Sequence, residues 1–323
     1  MKKEYSNKYV IETGIGLQDV DKLKNSSFFL DESSRYIKGE ITLDELDNII
    51  NSYYEKKIDN EEREEEADKI AIRIAKIISE DSFTFTVGQL LSIHRTLFVD
   101  ILESAGKVRD YNFTKKEWVL EGDSVIYGDY RELEVTLQYD FEQEKMFRYK
   151  NLSIDQIIEH LAIFISNLWQ IHVFEEGNTR TTAVFFIKYL RSLGFDVTND
   201  TFAKNAWYFR NALVRANYTN ITKGIYEDRK YIIMFLRNLL LNENNKLQNR
   251  ELHVKSELLV TKSREDKILE LIKENPKITT NELAVILGLS VRTIKSIIKT
   301  LVDNNIIKRT NGKKYGHWEI INY

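Results

Sequence analysis

Cysteine is absent from the 323 residues, which excludes disulfides, thiolate metal sites and cysteine nucleophiles. Proline occurs once, at Pro276, and glycine only 13 times. So few helix breakers leave room for long helices, and a mainly α fold is expected. No run reaches the roughly 18 apolar residues that a membrane helix needs. Met1-Lys2-Lys3-Glu4-Tyr5 is not followed by the apolar stretch of a secretory signal. Together these absences point to a cytoplasmic protein with no membrane partner. Charge of neither sign dominates: 47 Lys and Arg against 50 Asp and Glu leave a net −3. The distribution is uneven, however. Residues 263–323 hold 11 basic and 7 acidic residues (+4), and the rest holds 36 against 43 (−7). With 42% hydrophobic and 30% charged residues, the composition is that of a globular protein of about two domains.

What is there centres on Ile171-His172-Val173-Phe174-Glu175-Glu176-Gly177-Asn178-Thr179-Arg180. A base, carboxylates, a glycine, an amide and a guanidinium are crowded between two strongly apolar helical segments. The first begins after Ser153, whose spacing to Gln156 is that of a capping box. The second runs from Thr181 to Leu193, with Gly194 as its C-terminal stop. Helices this apolar belong in a core, so the polar loop between them is expected to be rigid. Gly177 permits a tight turn, and Asn178 and Thr179 open the second helix, whose first N–H groups are free for an anion such as phosphate. Arg180 adds a forked cation. Glu176 is an oxygen ligand for a hard cation such as Mg²⁺. His172 is placed to accept a proton from an attacking hydroxyl. Phe174 is expected to point into the core and pin the loop.

These residues resemble the Fic family, whose loop is written H-x-F-x-[D/E]-G-N-x-R: His172, Phe174, Glu176, Gly177, Asn178 and Arg180 fill every fixed place. The resemblance runs from about Phe83 to Asn242 and includes Ile93-His94-Arg95-Thr96-Leu97-Phe98, Ala105-Gly106-Lys107-Val108-Arg109 and Asn211-Ala212-Leu213-Val214-Arg215-Ala216-Asn217-Tyr218. It implies transfer of AMP from ATP to a hydroxyl of a target protein, with release of pyrophosphate. His172 would be the base and Glu176 the Mg²⁺ ligand. Gly177, Asn178 and Thr179 would form the backbone anion cradle, and Arg180 would bind the outer phosphates. Three positions depart from the family: Val173 stands for its proline, Thr179 for a glycine, and Ala183 for a second arginine. That second arginine often contacts the γ-phosphate and pairs with an inhibitory glutamate.

The inhibitory glutamate belongs to an N-terminal pattern, [S/T]-x-x-x-E-[G/N], with which Ser34 to Gly39 lines up, except that Lys38 replaces the glutamate. Ser34 and Lys38 are therefore the regulatory candidates, in a form where that glutamate–arginine clamp does not operate. A helix is expected to stop near Gly39 and another to begin at Thr42, capped with Glu45. The acidic run 58–68 reads as a solvated helix start. Helices are expected at Ala67–Ile78, at Val87–Leu102 with Thr86 and Gln89 as capping pair, and over 202–241 in two pieces. Between them, 117–128 reads as a β-hairpin around Glu121-Gly122-Asp123-Ser124. In the family such a hairpin is a flap that aligns the target by strand pairing, which makes Ser124, Val125, Ile126 and Tyr127 its candidates here. Asn211 and Asn217 are further candidates to line the nucleotide pocket. The polar stretch from Asn242 reads as the start of a linker.

The C-terminal segment resembles a winged helix-turn-helix: helices at Glu265–Glu274, Asn281–Leu287 and Val291–Asn304, then two strands joined through Asn311-Gly312. Arg292, Lys295 and Lys299 share one face of its second motif helix, which would enter the major groove of DNA, with Lys308, Arg309, Lys313 and Lys314 near phosphates. The expected organisation is an N-terminal helical regulatory segment (1–66), a Fic-type helical core with a β-hairpin flap (67–242), a linker (243–262) and a winged helix-turn-helix (263–323). The expected partners are a hydroxyl-bearing target protein and DNA, with a second copy of the chain as a further candidate. Two alternatives stand beside adenylyl transfer: transfer of another phosphate-containing group, and a DNA-binding regulator whose loop only senses a nucleotide.

Overall fold

The computed structural model describes residues 5–56, 62–254, 264–287, 289–310 and 316–321. The chain divides into two compact units, Met1–Val254 and Lys255–Tyr323.

The first unit is helical throughout its described residues: α1 (Asn7–Gly16), α2 (Ser27–Ile37), α3 (Leu43–Lys56), α4 (Glu62–Ser79), α5 (Val87–Phe98), α6 (Leu133–Met146), α7 (Ile154–Ile171), α8 (Asn178–Ser192), α9 (Thr201–Ala216), α10 (Lys230–Leu241) and the short α11 (Asn249–Leu252). Local chemistry sets many boundaries. Ser153 accepts from the Gln156 N–H, and the Gln156 side chain closes the capping box at the start of α7. Thr42 and Glu45 make the same exchange before α3. Thr86 caps α5, which ends at Phe98 rather than Leu102, because Val99 is extended and Asp100 turns left-handed (φ 67°).

The expected division after residue 66 falls inside α4, and the N-terminal helices share the core of the unit. Val10, Ile11 and Leu17 are buried in one cluster with Ile70, Ile74, Phe185 and Phe209. Gly14 permits this packing: a Cβ there would lie 2.2 Å from the Ala71 carbonyl oxygen, so only a glycine lets α1 approach α4 so closely. Asp68, buried on α4, accepts from the Ser26 and Tyr54 hydroxyls and from the Asn25 amide, tying α2 and α3 to the same helix.

The expected linker also begins on the core. Asn245 bonds the Asn238 side chain, Arg237 pairs with Glu243, and Leu252 and Val254 are buried. The side-chain amides fold the polar stretch back on α10, and Leu252 and Val254 anchor it. The rest of that linker, 255–262, lies outside the described residues.

The second unit holds α12 (Arg264–Glu274), α13 (Thr280–Leu287), α14 (Val291–Asp303) and an antiparallel pair, β1 (Ile307–Thr310) and β2 (His317–Ile320), in the register Ile307 to Ile320. Its core is separate: Ile268, Ile272, Leu283, Ile294, Ile298, Leu301, Ile307 and Trp318. Thr279 and Glu282 cap α13, and Ser290 caps α14. Gly288, the Asn311-Gly312 turn, Lys313 and Lys314 lie outside the described residues. No described helix is long and apolar enough to cross a membrane.

Candidate active site

α7 and α8 are both buried, and the loop between them spans residues 172–177. His172 ends α7 in a left-handed conformation (φ 52°), which turns the chain sharply and leaves its ring almost wholly buried. Three aromatic rings surround it: Tyr127 stacked at 3.9 Å, Trp169 at 5.2 Å and Phe113 at 5.7 Å. Nδ1 lies 3.2 Å from the Trp169 carbonyl, an acceptor, so the proton sits on Nδ1. Nε2 is left as a bare lone pair with no partner. Burial holds the imidazole pKa well below its ordinary value, and the cations Lys115, Arg210 and Arg109 push it the same way. His172 is thus a neutral imidazole with one unpartnered ring nitrogen.

Arg109 fixes this turn. Its Nε donates to the His172 carbonyl at 2.7 Å, its other nitrogens reach the carbonyls of Tyr111, Gly128 and Ile171, and its backbone N–H donates to the Val173 carbonyl. On the other side His94 accepts from the Gly106 N–H at Nδ1 (2.8 Å) and donates from Nε2 to the Glu176 carbonyl (3.0 Å). The His94 ring stacks on Phe174 at 3.7 Å, and Phe174 is buried as expected. Burial lowers the His94 pKa to about 4. The sequence placed both residues within stretches of family resemblance but gave neither a role. Their signal was a histidine inside an apolar helix and an arginine after a glycine turn, each needing buried partners.

Gly177 takes φ 73°, and a Cβ there would sit 2.2 Å from the Phe98 ring. Asn178 closes the loop on itself: its Oδ1 accepts from the Phe174 N–H and its Nδ2 donates to the Phe174 carbonyl. The first main-chain bond of α8 runs from the Thr181 N–H to the Gly177 carbonyl, so the N–H groups of Asn178, Thr179 and Arg180 precede the helical ladder. The Thr179 hydroxyl accepts from the Trp169 indole at 2.9 Å, so this side chain is turned onto α7. Ala183 is wholly buried and brings no charge to the site.

Arg180 is 2% exposed, and its partners come from the N-terminal helices. Nη1 donates to Gln18 (3.1 Å), Nη2 to Glu66 (2.8 Å), and Nε lies 2.9 Å from an Asp21 carboxylate oxygen. The Phe98 ring lies 4.8 Å beneath the guanidinium. Ser34 and Lys38, the regulatory candidates, are exposed at the end of α2, and Ser34 bonds only its own helix. The N-terminal segment does engage a loop arginine, through Gln18, Asp21 and Glu66, residues that no motif marked.

The flap differs from its expected form. Residues 117–128 contain no strand pair: Trp118–Leu120 make a 3-10 turn, followed by a run without regular secondary structure. Left-handed Glu121 and Gly122 close the turn tightly, and tertiary burial takes over from there. Val125 is 1% exposed and Tyr127 lies on His172, whereas Ile126 is 84% exposed. Ser124 accepts from the Lys115 N–H (3.3 Å), and Gln170 holds the Ile126 carbonyl (3.1 Å). A chain of contacts fastens Tyr127: its hydroxyl reaches the buried Glu117, which is paired with Arg210 at 2.6 and 3.0 Å. Asn211 bonds Asn249, and Asn217 bonds the Ser166 and Leu213 carbonyls, so both side chains are tied to neighbouring elements.

Glu176 and Arg180 border a cavity of about 420 Å³, with Asp21, Glu66, Lys22, Arg63, Lys115, Lys116, Arg210, Trp118 and Trp207 also on its wall. Glu176 is half exposed and bonded through both oxygens to Lys115. Among the described residues no group of three or more His, Asp or Glu could hold a metal by itself. A lone half-exposed carboxylate beside a helix N-terminus fits the chemistry of Mg²⁺, which a protein usually holds by one or two carboxylates together with phosphates.

On α14, Arg292, Lys295 and Lys299 are exposed. On β1, Lys308 pairs with Glu319 and Arg309 lies over the Trp318 ring.

Residues 84–190 match the Fic/DOC family, and residues 266–308 match the family described as winged helix-turn-helix DNA-binding. Over 155 residues the chain is 27% identical to protein adenylyltransferase VbhT of Bartonella schoenbuchensis, covering 43% of this chain and 30% of that protein. The chain therefore spans under a third of that relative. Solved structures with some likeness are the N-terminal FIC domain of Bep8, a VirB-translocated effector of Bartonella sp. 1-1C (TM-score 0.42, 18% identity, 53% of this chain and 81% of that one), and a Fic family protein of Desulfovibrio desulfuricans G20 (TM-score 0.43, 13% identity, 98% and 88%). By its loop and its two family matches, the chain carries a Fic/DOC-family domain over residues 84–190 and a winged helix-turn-helix domain over residues 266–308.

Proposed function

We propose that the chain is a protein adenylyltransferase. The reading rests on one observation: a neutral imidazole with a free Nε2, a half-exposed carboxylate, an arginine and unpaired helix N–H groups share one rigid loop. The adjoining cavity falls within the size range of small-ligand sites.

A hydroxyl oxygen of the target attacks the α-phosphorus of ATP, the bond from that phosphorus to the β-bridging oxygen breaks, and pyrophosphate leaves. His172 Nε2 takes the hydroxyl proton. The main-chain N–H groups of Asn178 and Thr179 and the Arg180 guanidinium receive phosphate oxygens as charge shifts toward the leaving group. Glu176 would hold Mg²⁺, which would supply further charge neutralisation. Tyr127 must first swing off His172, since its ring covers the base.

Incubation with α-labelled ATP and Mg²⁺, alone and with lysate, beside His172→Ala, tests this. Protein-bound label that vanishes in the variant supports it, and no label in either chain overturns it. A second reading, a nucleotide-sensing DNA-binding regulator, is favoured by the exposed Arg292, Lys295 and Lys299. Tight, nucleotide-dependent DNA binding without label transfer would select it.

A further inference from the structure

We infer that Lys115 is a nucleotide ligand released by metal: it rests on Glu176 until a divalent cation takes that carboxylate, then turns to the outer phosphates. The inference deepens the proposed function and depends on Glu176 as the metal ligand.

Lys115 Nζ lies 3.1 Å from each oxygen of Glu176, straddling the carboxylate where a small cation would sit. A doubly charged ion entering there competes for the same oxygens and repels the ammonium. The expelled amine has somewhere to go. Lys115 borders both the 420 Å³ cavity that Arg180 also lines and a second one of about 600 Å³ that Glu176 also lines.

Two other cations on the cavity wall, Arg180 and Arg210, are less free to respond. Arg180 is bound to Gln18, Asp21 and Glu66, and its side chain is 3% exposed. Arg210 grips Glu117, whose side chain is 1% exposed. Breaking either pair strands a buried charge, which is costly. The Lys115 pair joins side chains 27% and 51% exposed, and such a pair is worth little. Lysine also suits the part: it is a point charge on a flexible stem, where arginine is a fixed fork. Demand for a cation is real, because Ala183 brings no charge to a site that must hold a polyphosphate.

The test uses the full chain and binding alone. Mn²⁺ without nucleotide is titrated by electron paramagnetic resonance, and Mg·ATP and AMP by calorimetry, for wild type, Lys115→Ala, Lys115→Arg and Glu176→Gln. With its competitor gone, Lys115→Ala should bind Mn²⁺ a few-fold tighter, the size of a half-exposed ion pair. It should bind Mg·ATP about tenfold more weakly, the size of one charge-assisted contact. AMP, which lacks outer phosphates, should be unaffected, and Lys115→Arg should recover part of the Mg·ATP affinity. Loss of metal and nucleotide affinity together would reduce Lys115 to a pin for the flap and overturn the inference, as would no change in either. Mn²⁺ binding that survives Glu176→Gln would overturn the reading of Glu176 beneath it. That failure is distinct, because it appears without touching Lys115.

Discussion

His94 and His172 are buried imidazoles on either side of one loop, and each depends on staying neutral. His94 Nδ1 accepts from the Gly106 N–H, so a proton there would break a bond as well as charge a buried ring. Its native pKa, about 4, lies below the ordinary 6.5. Between those values the unfolded chain binds a proton that the native chain does not. Stability is therefore intact above pH 6.5 and lost as pH falls through the window. From pH 7 to pH 5 the His94 share should come to about 2 kcal/mol. Urea unfolding at the two pH values measures it, and His94→Asn should remove that share. The depressed pKa of His172 predicts that its charge state does not change near pH 6.5. Label transfer should then show no fall at the pH where a free imidazole titrates. His172→Ala should lower transfer by roughly 10²- to 10⁴-fold with nucleotide binding kept.

At the level of elements, the loop is only as good as the helices that hold it. Gly177→Ala puts a side chain in the left-handed region and against Phe98, and should cost roughly 3 kcal/mol or more, read as a lower melting temperature. The N-terminal helices act on the same loop through Arg180. Asp21 and Glu66 set two carboxylates beside the cation that phosphates would need. Asp21→Asn with Glu66→Gln should therefore tighten ATP binding about tenfold, or 1.4 kcal/mol, by calorimetry. Unchanged or weaker binding would mean that the two acids orient Arg180 for phosphate and do not compete with it. The capping boxes at Ser153 and Thr42 were legible in the chain because they join residues three apart. The flap was misread because Val119, Leu120 and Val125 are β-prone yet take their conformation from burial, with no partner strand.

Across the whole molecule, the two units have separate cores and each carries its own family match. If α14 meets DNA, replacing Arg292, Lys295 and Lys299 with Ala should weaken binding on all sequences. It should also flatten the salt dependence by about one unit of log–log slope for each phosphate that those side chains neutralise. Fluorescence anisotropy at several salt concentrations checks both. Label transfer to a non-DNA target should stay unchanged in that triple variant.

The chain by itself determined a helical fold, the place of the polar loop between two apolar helices, most helix ends and the outline of the C-terminal unit. Each of these rests on short-range rules: caps three residues apart, helical periodicity, and six loop residues at fixed spacing. Tertiary structure alone decided what surrounds the loop. Gln18, Asp21 and Glu66 reach Arg180 from as far as 162 residues away, Arg109 clamps the His172 turn from 63 residues away, and Glu117 meets Arg210 across 93. No local pattern announces such pairs. They follow from which side chains the packed core leaves facing one another, and from the cost of burying any of those charges without a partner.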